Sequence, residues 1–142
     1  MLAAASGYGG RVTEQRAVPH ARRTAILACV ADVVLVTVFV LIGRASHDEN
    51  PVLGAFVTLW PFLAGLVLGW LALRAWRAPL AVVRTGIPLW LATVVIGMLL
   101  RALSDQGTQF AFIIVATLVV GAFLLGWRGI AALVRRRRTA SE

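Results

Sequence analysis

The sequence predicts an all-α fold: a polytopic membrane protein, a four-transmembrane-helix bundle, with two tandem helical hairpins as its candidate substructure. Three observations carry this. The 142 residues are 60% hydrophobic with a mean hydropathy of +0.86, above the roughly 45–50% apolar content of soluble domains. Four apolar runs each have about the 20 residues that cross a bilayer core as helix. The charges, net +8 with fourteen arginines and no lysine, fall almost wholly in loops and tails between those runs.

Taken in order, residues 1–23 read as a flexible, basic, cytoplasmic arm. A cleaved signal peptide is the rival reading, but the apolar run that follows is too long and is succeeded by further spans. The transmembrane domain covers 24–130. Span one is 24–43, with Asp32 its only charge. It ends at Gly43-Arg44-Ala45-Ser46-His47-Asp48, a dense group of ionisable side chains. Asn50 followed by Pro51 is a cap and first-turn signal, and span two is 51–73. Pro61 removes one backbone bond there, so Trp60-Pro61-Phe62 predicts a bend. Arg74, Arg77, Pro79 and Arg84 make the second loop. Span three is read as 86–104; the other reading starts it near Leu80, with Arg84 snorkelling to the interface. Gln106-Gly107-Thr108 is a turn signal. Span four is 109–127, and 131–142 is a basic cytoplasmic tail containing Arg135, Arg136, Arg137 and Arg138.

Arginine asymmetry orients the spans. With the N-terminus inside, twelve arginines, Arg128 among them, lie on the cytoplasmic side and two, Arg44 and Arg101, outside. Both termini are therefore expected in the cytoplasm, as a multi-pass protein of the plasma membrane. Trp76 and Trp127 fall near the expected inner interface, where amphipathic rings are favoured.

A shift of 57 residues aligns Arg44 with Arg101, Ala45 with Ala102, Asp48 with Asp105, and Leu68-Gly69-Trp70 with Leu125-Gly126-Trp127. Each hairpin would carry Arg-x-x-x-Asp at one end and Gly-Trp at the other. Two helices per repeat relate the halves by an axis along the membrane normal. Two similar hairpins reusing similar end chemistry is the other explanation.

The polar candidates follow. A carboxylate in mid-membrane costs roughly 2.5–3.5 kcal/mol, so Asp32 should face the bundle, protonated or locally paired. It is either a proton or cation site or a helix-to-helix hydrogen bond. Arg101 lies on one face of span three with Trp90, Thr93 and Gly97. Arg101 with Asp105, and Arg44 with Asp48, stand at ion-pair spacing on a helix. These pairs neutralise helix ends or, with His47, form one polar cluster at the outer mouth. Gly65, Gly69, Gly97 and Gly121 mark faces where backbones approach closely.

The same survey excludes several classes. The charge pattern suits a membrane better than nucleic acid. Cys29 alone allows no internal disulfide, and two histidines leave little for a metal. There is no phosphate-binding loop, dinucleotide fingerprint or nucleophile motif. Ser46, His47 and Asp48 are adjacent, and successive side chains splay apart rather than converge as a triad. No cofactor, metal or catalytic residue is expected. The expected partners are the bilayer, anionic lipid headgroups at the cytoplasmic face, and a second copy if the protein is a transporter.

Asp32, Gly43-Arg44-x-Ser46-His47, Trp60-Pro61-Phe62, Trp90 and Thr93 with Gly97-x-x-x-Arg101, Phe110 and Gly126-Trp127-Arg128 together resemble domain-of-unknown-function family 3054, small four-span membrane proteins of prokaryotes. The resemblance spans about residues 24–130 and implies a fold and a location; it brings no assigned activity. The functional expectation is a small transport- or channel-like protein using Asp32, Arg44, His47 and Arg101. The alternative is a non-catalytic accessory or structural membrane protein.

Overall fold

The computed structural model describes residues 9–44 and 51–140, and among these all regular structure is helical. Four long helices follow in order: α1 (Gly9–Arg44), α2 (Pro51–Ala72), α3 (Ile87–Leu103) and α4 (Phe110–Thr139). Each forms a stretch long and apolar enough to cross a membrane, α3 together with the turn that leads into it. Ser46, His47 and Asp48 lie outside the described residues.

The helices are longer than the apolar runs alone suggest. α1 is helical from Gly9, so much of the arm expected to be flexible is continuous with the first span. α4 runs on to Thr139, through the basic tail. Nothing in 128–139 stops a helix except Gly129, and arginine, alanine and leucine are good helix formers. Between α2 and α3 the chain makes a short 3-10 turn (Ala75–Arg77) and then a wide turn of π type (Val82–Gly86) that runs straight into α3. The Gly86 amide reaches back to the Ala81 carbonyl at 2.9 Å. The third span thus starts at Val82, between the two positions expected. Pro61 is buried inside α2, which continues past it.

The chain runs up and down, and each helix packs on its two neighbours in a ring: α1 on α2, α2 on α3, α3 on α4, α4 back on α1. The α2–α3 contact is the most extensive. Small residues explain it. A Cβ added to Gly65 would sit 2.8 Å from the Thr93 carbonyl oxygen and 3.2 Å from the Gly97 nitrogen. One added to Gly97 would meet the Phe62 ring at 2.8 Å, and one on Gly69 would meet Leu89 at 2.8 Å. Gly121 of α4 plays the same part for Trp90 of α3, at 2.9 Å. All four glycines therefore lie where a facing helix comes closest, by backbone, ring or aliphatic side chain, which is how helices gain packing contact in a solvent as apolar as their own side chains.

Val36, Phe62, Leu66, Leu89, Val120 and Leu124 fill the centre, each at 1% exposure or less. Leu27, Phe56, Val83, Leu103, Phe110 and Leu118 point outward and are more than half exposed. An apolar exterior around an apolar core is the pattern of a helix bundle solvated by lipid. One end of the bundle carries the start of α1, the end of α4 and the α2–α3 turn. The distal end carries the C-terminus of α1 and the α3–α4 turn.

Candidate functional site: a buried ion pair and a distal arginine pocket

Two polar sites interrupt the apolar interior. Along α1 they are separated by residues 32 to 44, roughly 18 Å at the helical rise.

The first is built on Asp32, at mid-helix in the apolar segment of α1 and without exposed surface. Its carboxylate accepts four hydrogen bonds. Arg128 of α4 meets it as a fork, Nη1 to Oδ1 at 2.8 Å and Nη2 to Oδ2 at 2.7 Å. Trp127 Nε1 donates to Oδ1 at 2.9 Å, and Trp70 Nε1 of α2 donates to Oδ2 at 3.0 Å. Arg128 is equally buried. Its Nε donates to the Pro79 carbonyl at 3.0 Å, and Nη1 also donates to the Leu124 carbonyl at 3.0 Å. The guanidinium lies 4.6 Å from the centre of the Trp127 ring. At the entry of α3, Gly86 leaves room for the Arg128 side chain; a Cβ there would be 3.1 Å from Cδ. One charge pair therefore ties together α1, α2, α4 and the connection between α2 and α3.

Four N–H donors converge on the Asp32 carboxylate, two on each oxygen. Taking both charges out of water is costly, and fork geometry with extra hydrogen bonds is what offsets that cost. The arrangement corrects one sequence expectation. Arg128, counted with the loop and tail arginines, is the most voluminous fully buried side chain among the described residues. Trp127 directs its indole N–H to Asp32. Trp70 and Trp127, paired by the 57-residue shift, serve opposite oxygens of one carboxylate. A signal for Arg128 was present: apolar residues 129–134 separate it from the arginine run, so it sits inside a helix and needs a counter-charge.

The second site is a pocket of about 670 Å³ at the distal end, lined among others by Phe39, Arg44, Thr58, Arg101, Gln109 and Phe112. Arg101 of α3 is only 8% exposed. Its Nη1 donates to Gln106 Oε1 at 3.0 Å, and its Nη2 to the carbonyls of Gln106 and Gly107 at 3.1 and 3.2 Å. Its guanidinium lies 4.5 Å from the centre of the Phe112 ring. Arg44 Nη1 donates to Thr58 Oγ1 at 3.4 Å, and the Arg44 guanidinium packs onto Gly54. Below the pocket, Phe39, Phe62 and Phe112 pack ring on ring at centroid distances of 5.5 to 6.5 Å.

The structure thus brings Arg44 and Arg101 to one pocket. It does not pair Arg101 with Asp105. α3 ends at Leu103, so helical spacing lapses before Asp105. That residue turns the chain in the left-handed region, φ 53°, with its side chain in solvent. The reversal brings Gln106 and Gly107, not Asp105, over the guanidinium. Asp48 and His47 lie outside the described residues. Among those described, no three of His, Cys, Asp and Glu are grouped to hold a metal ion. The other polar residues on the α3 face are locally satisfied: Trp90 Nε1 donates to the Thr117 carbonyl at 2.9 Å and Thr93 Oγ1 to the Leu89 carbonyl at 2.7 Å.

No curated protein and no solved structure matches the chain. Its residues 29–131 match the family described as protein of unknown function (DUF3054), a stretch that holds Asp32, Trp70, Arg101 and Arg128, and the chain belongs to that family.

Proposed function

We propose that this protein is a non-catalytic accessory protein of the plasma membrane, a locked four-helix scaffold rather than a transport path. The observation that carries this is the saturated Asp32. A carboxylate that moves protons or cations needs a free lone pair and a route to water, and both of its oxygens are already filled twice. Between it and the distal pocket lies a layer of buried Val36, Phe62, Leu66 and Val120, and the pocket floor is closed by the phenylalanine cluster. The sequence expectation of a transport-like protein gives way here to its alternative.

The proposed orientation keeps both termini in the cytoplasm. The arginine asymmetry supports it, and it survives removal of Arg128 from the count. The arginines from Arg135 to Arg138 would then face anionic headgroups, an attraction of about 1 kcal/mol each.

The test is flux through the purified protein in liposomes, read with entrapped dyes for protons, potassium and chloride. The expected rate is that of empty liposomes for wild type and Asp32→Asn alike. A wild-type flux that disappears in a correctly inserted Asp32→Asn variant would restore the transport reading.

A further inference from the structure

We propose that the distal pocket binds an organic oxoanion, a phosphate or carboxylate carried on a partly apolar body, with Arg101 as its principal ligand. The proposal does not depend on whether the protein conducts anything. It rests on four features of the pocket.

Arg101 is more than nine-tenths buried, yet every acceptor it meets is neutral: one side-chain amide and two backbone carbonyls. Its Nε has no hydrogen-bond partner. A buried guanidinium normally gains a carboxylate or phosphate. The neutral contacts hold it by one edge and leave a donor over.

A second guanidinium lines the same cavity. Arg44 is close enough for the two positive charges to repel. Among the described residues lining the pocket there is no aspartate or glutamate. Two like charges converging on one cavity raise the potential inside it, and an anion between them removes the repulsion.

The pocket also receives the start of α4. Gln109 stands at the cap position without a side-chain cap bond, and Gln109 and Phe112 both line the wall. The free N–H groups and positive dipole end of a 30-residue helix add to the arginine field.

Size and lining then narrow the ligand. About 670 Å³ is far more than a bare phosphate fills and lies within the range of small organic ligands. Phe39 and Phe112 supply aromatic wall beside the charges. The anion should therefore carry an apolar portion. Such a group could come from a soluble phosphate or carboxylate or from an anionic lipid headgroup at the membrane surface.

The experiment measures binding of phenyl phosphate to the full chain in nanodiscs, by calorimetry and by shift in melting temperature. Phenol is the uncharged control. In phosphatidylcholine discs wild type should bind phenyl phosphate saturably and phenol not at all. Arg101→Gln should weaken binding about tenfold or more, the loss of a charge-assisted contact. Gln109→Glu guards against a folding defect. It keeps both arginines, places a favourable charge at a helix start, and should weaken binding to a similar degree by occupying the pocket. Adding phosphatidylglycerol separates the sources: a raised melting temperature with competition against phenyl phosphate identifies a headgroup site, and no effect identifies a soluble ligand. The proposal is overturned if wild type binds nothing in either disc, or if phenol binds as tightly. It also fails if phenyl phosphate binds only after Asp48→Asn with Glu49→Gln, since the chain's own loop would then be the occupant.

Discussion

Asp32 and Arg128 stand 96 positions apart in the chain and meet as a two-pronged ion pair with no exposed surface on either side chain. The pair closes the ring of helices between the first and the last. Its energetic signature is asymmetric. Arg128→Met or Asp32→Leu alone strands a buried charge and should cost about 3–5 kcal/mol. The double variant removes both charges and should be more stable than either single one. Thermal unfolding in detergent, arranged as a double-mutant cycle, measures the coupling. Additive losses would mean that the two residues act separately.

Trp70 and Trp127 each hold one oxygen of that carboxylate. Replacing either by phenylalanine keeps the ring and deletes one donor to a charged acceptor, so each change should cost roughly 1.5–3 kcal/mol. The two losses should be comparable. In an Asp32→Leu background both should shrink sharply, because the acceptor is gone. Unfolding midpoints of the four combinations give the answer.

The packing glycines differ from the incidental ones. Gly65→Ala puts a methyl 2.8 Å from a carbonyl oxygen of the facing backbone, which cannot swing away, and should cost about 1–3 kcal/mol. Gly126→Ala meets nothing within 4 Å and should be neutral or stabilising by up to about 1 kcal/mol. Equal effects at the two positions would contradict the close α2–α3 approach.

Asp105 distinguishes a turn residue from a salt-bridge residue. Its left-handed backbone is one that glycine adopts without strain. Asp105→Gly should therefore leave stability unchanged or raise it by up to about 1 kcal/mol. A loss that salt mimics in wild type would point instead to an ion pair with Arg101.

Sidedness has a direct readout. In a Cys29→Ser background, Ser104→Cys places a thiol in the exposed α3–α4 turn at the distal end and Thr139→Cys one at the terminal end. An impermeant maleimide added to intact cells should label the first and spare the second. The reverse pattern would invert the proposed orientation.

The four spans and the buried face of α3 were legible because apolar run length and helical spacing report directly on lipid and neighbours. Asp32 was legible because one carboxylate in an apolar run must find a partner. Arg128 was not, because it abuts the point where the fourth apolar run was judged to end, and hydropathy averages a residue with its neighbours rather than placing it on a helix face. The alignment of Trp70 with Trp127 held a clue that only the geometry makes readable: equivalent positions converge on one acceptor. The Arg101 environment was illegible for another reason. Spacing of four means an ion pair only while the helix lasts, and here it stops at Leu103.

The distance in sequence between Asp32 and Arg128 also sets an order of events during synthesis. At about 5–20 residues per second, the first helix enters the bilayer some 5 to 20 seconds before its counter-charge is made. For that interval Asp32 lacks its guanidinium partner, and Trp70, 38 positions on, is the first of its donors to be made. The fourth helix thus completes the bonding of the first. A chain truncated before Arg128, or one whose last helix fails to insert, leaves Asp32 without three of the four donors that hold it in the folded bundle.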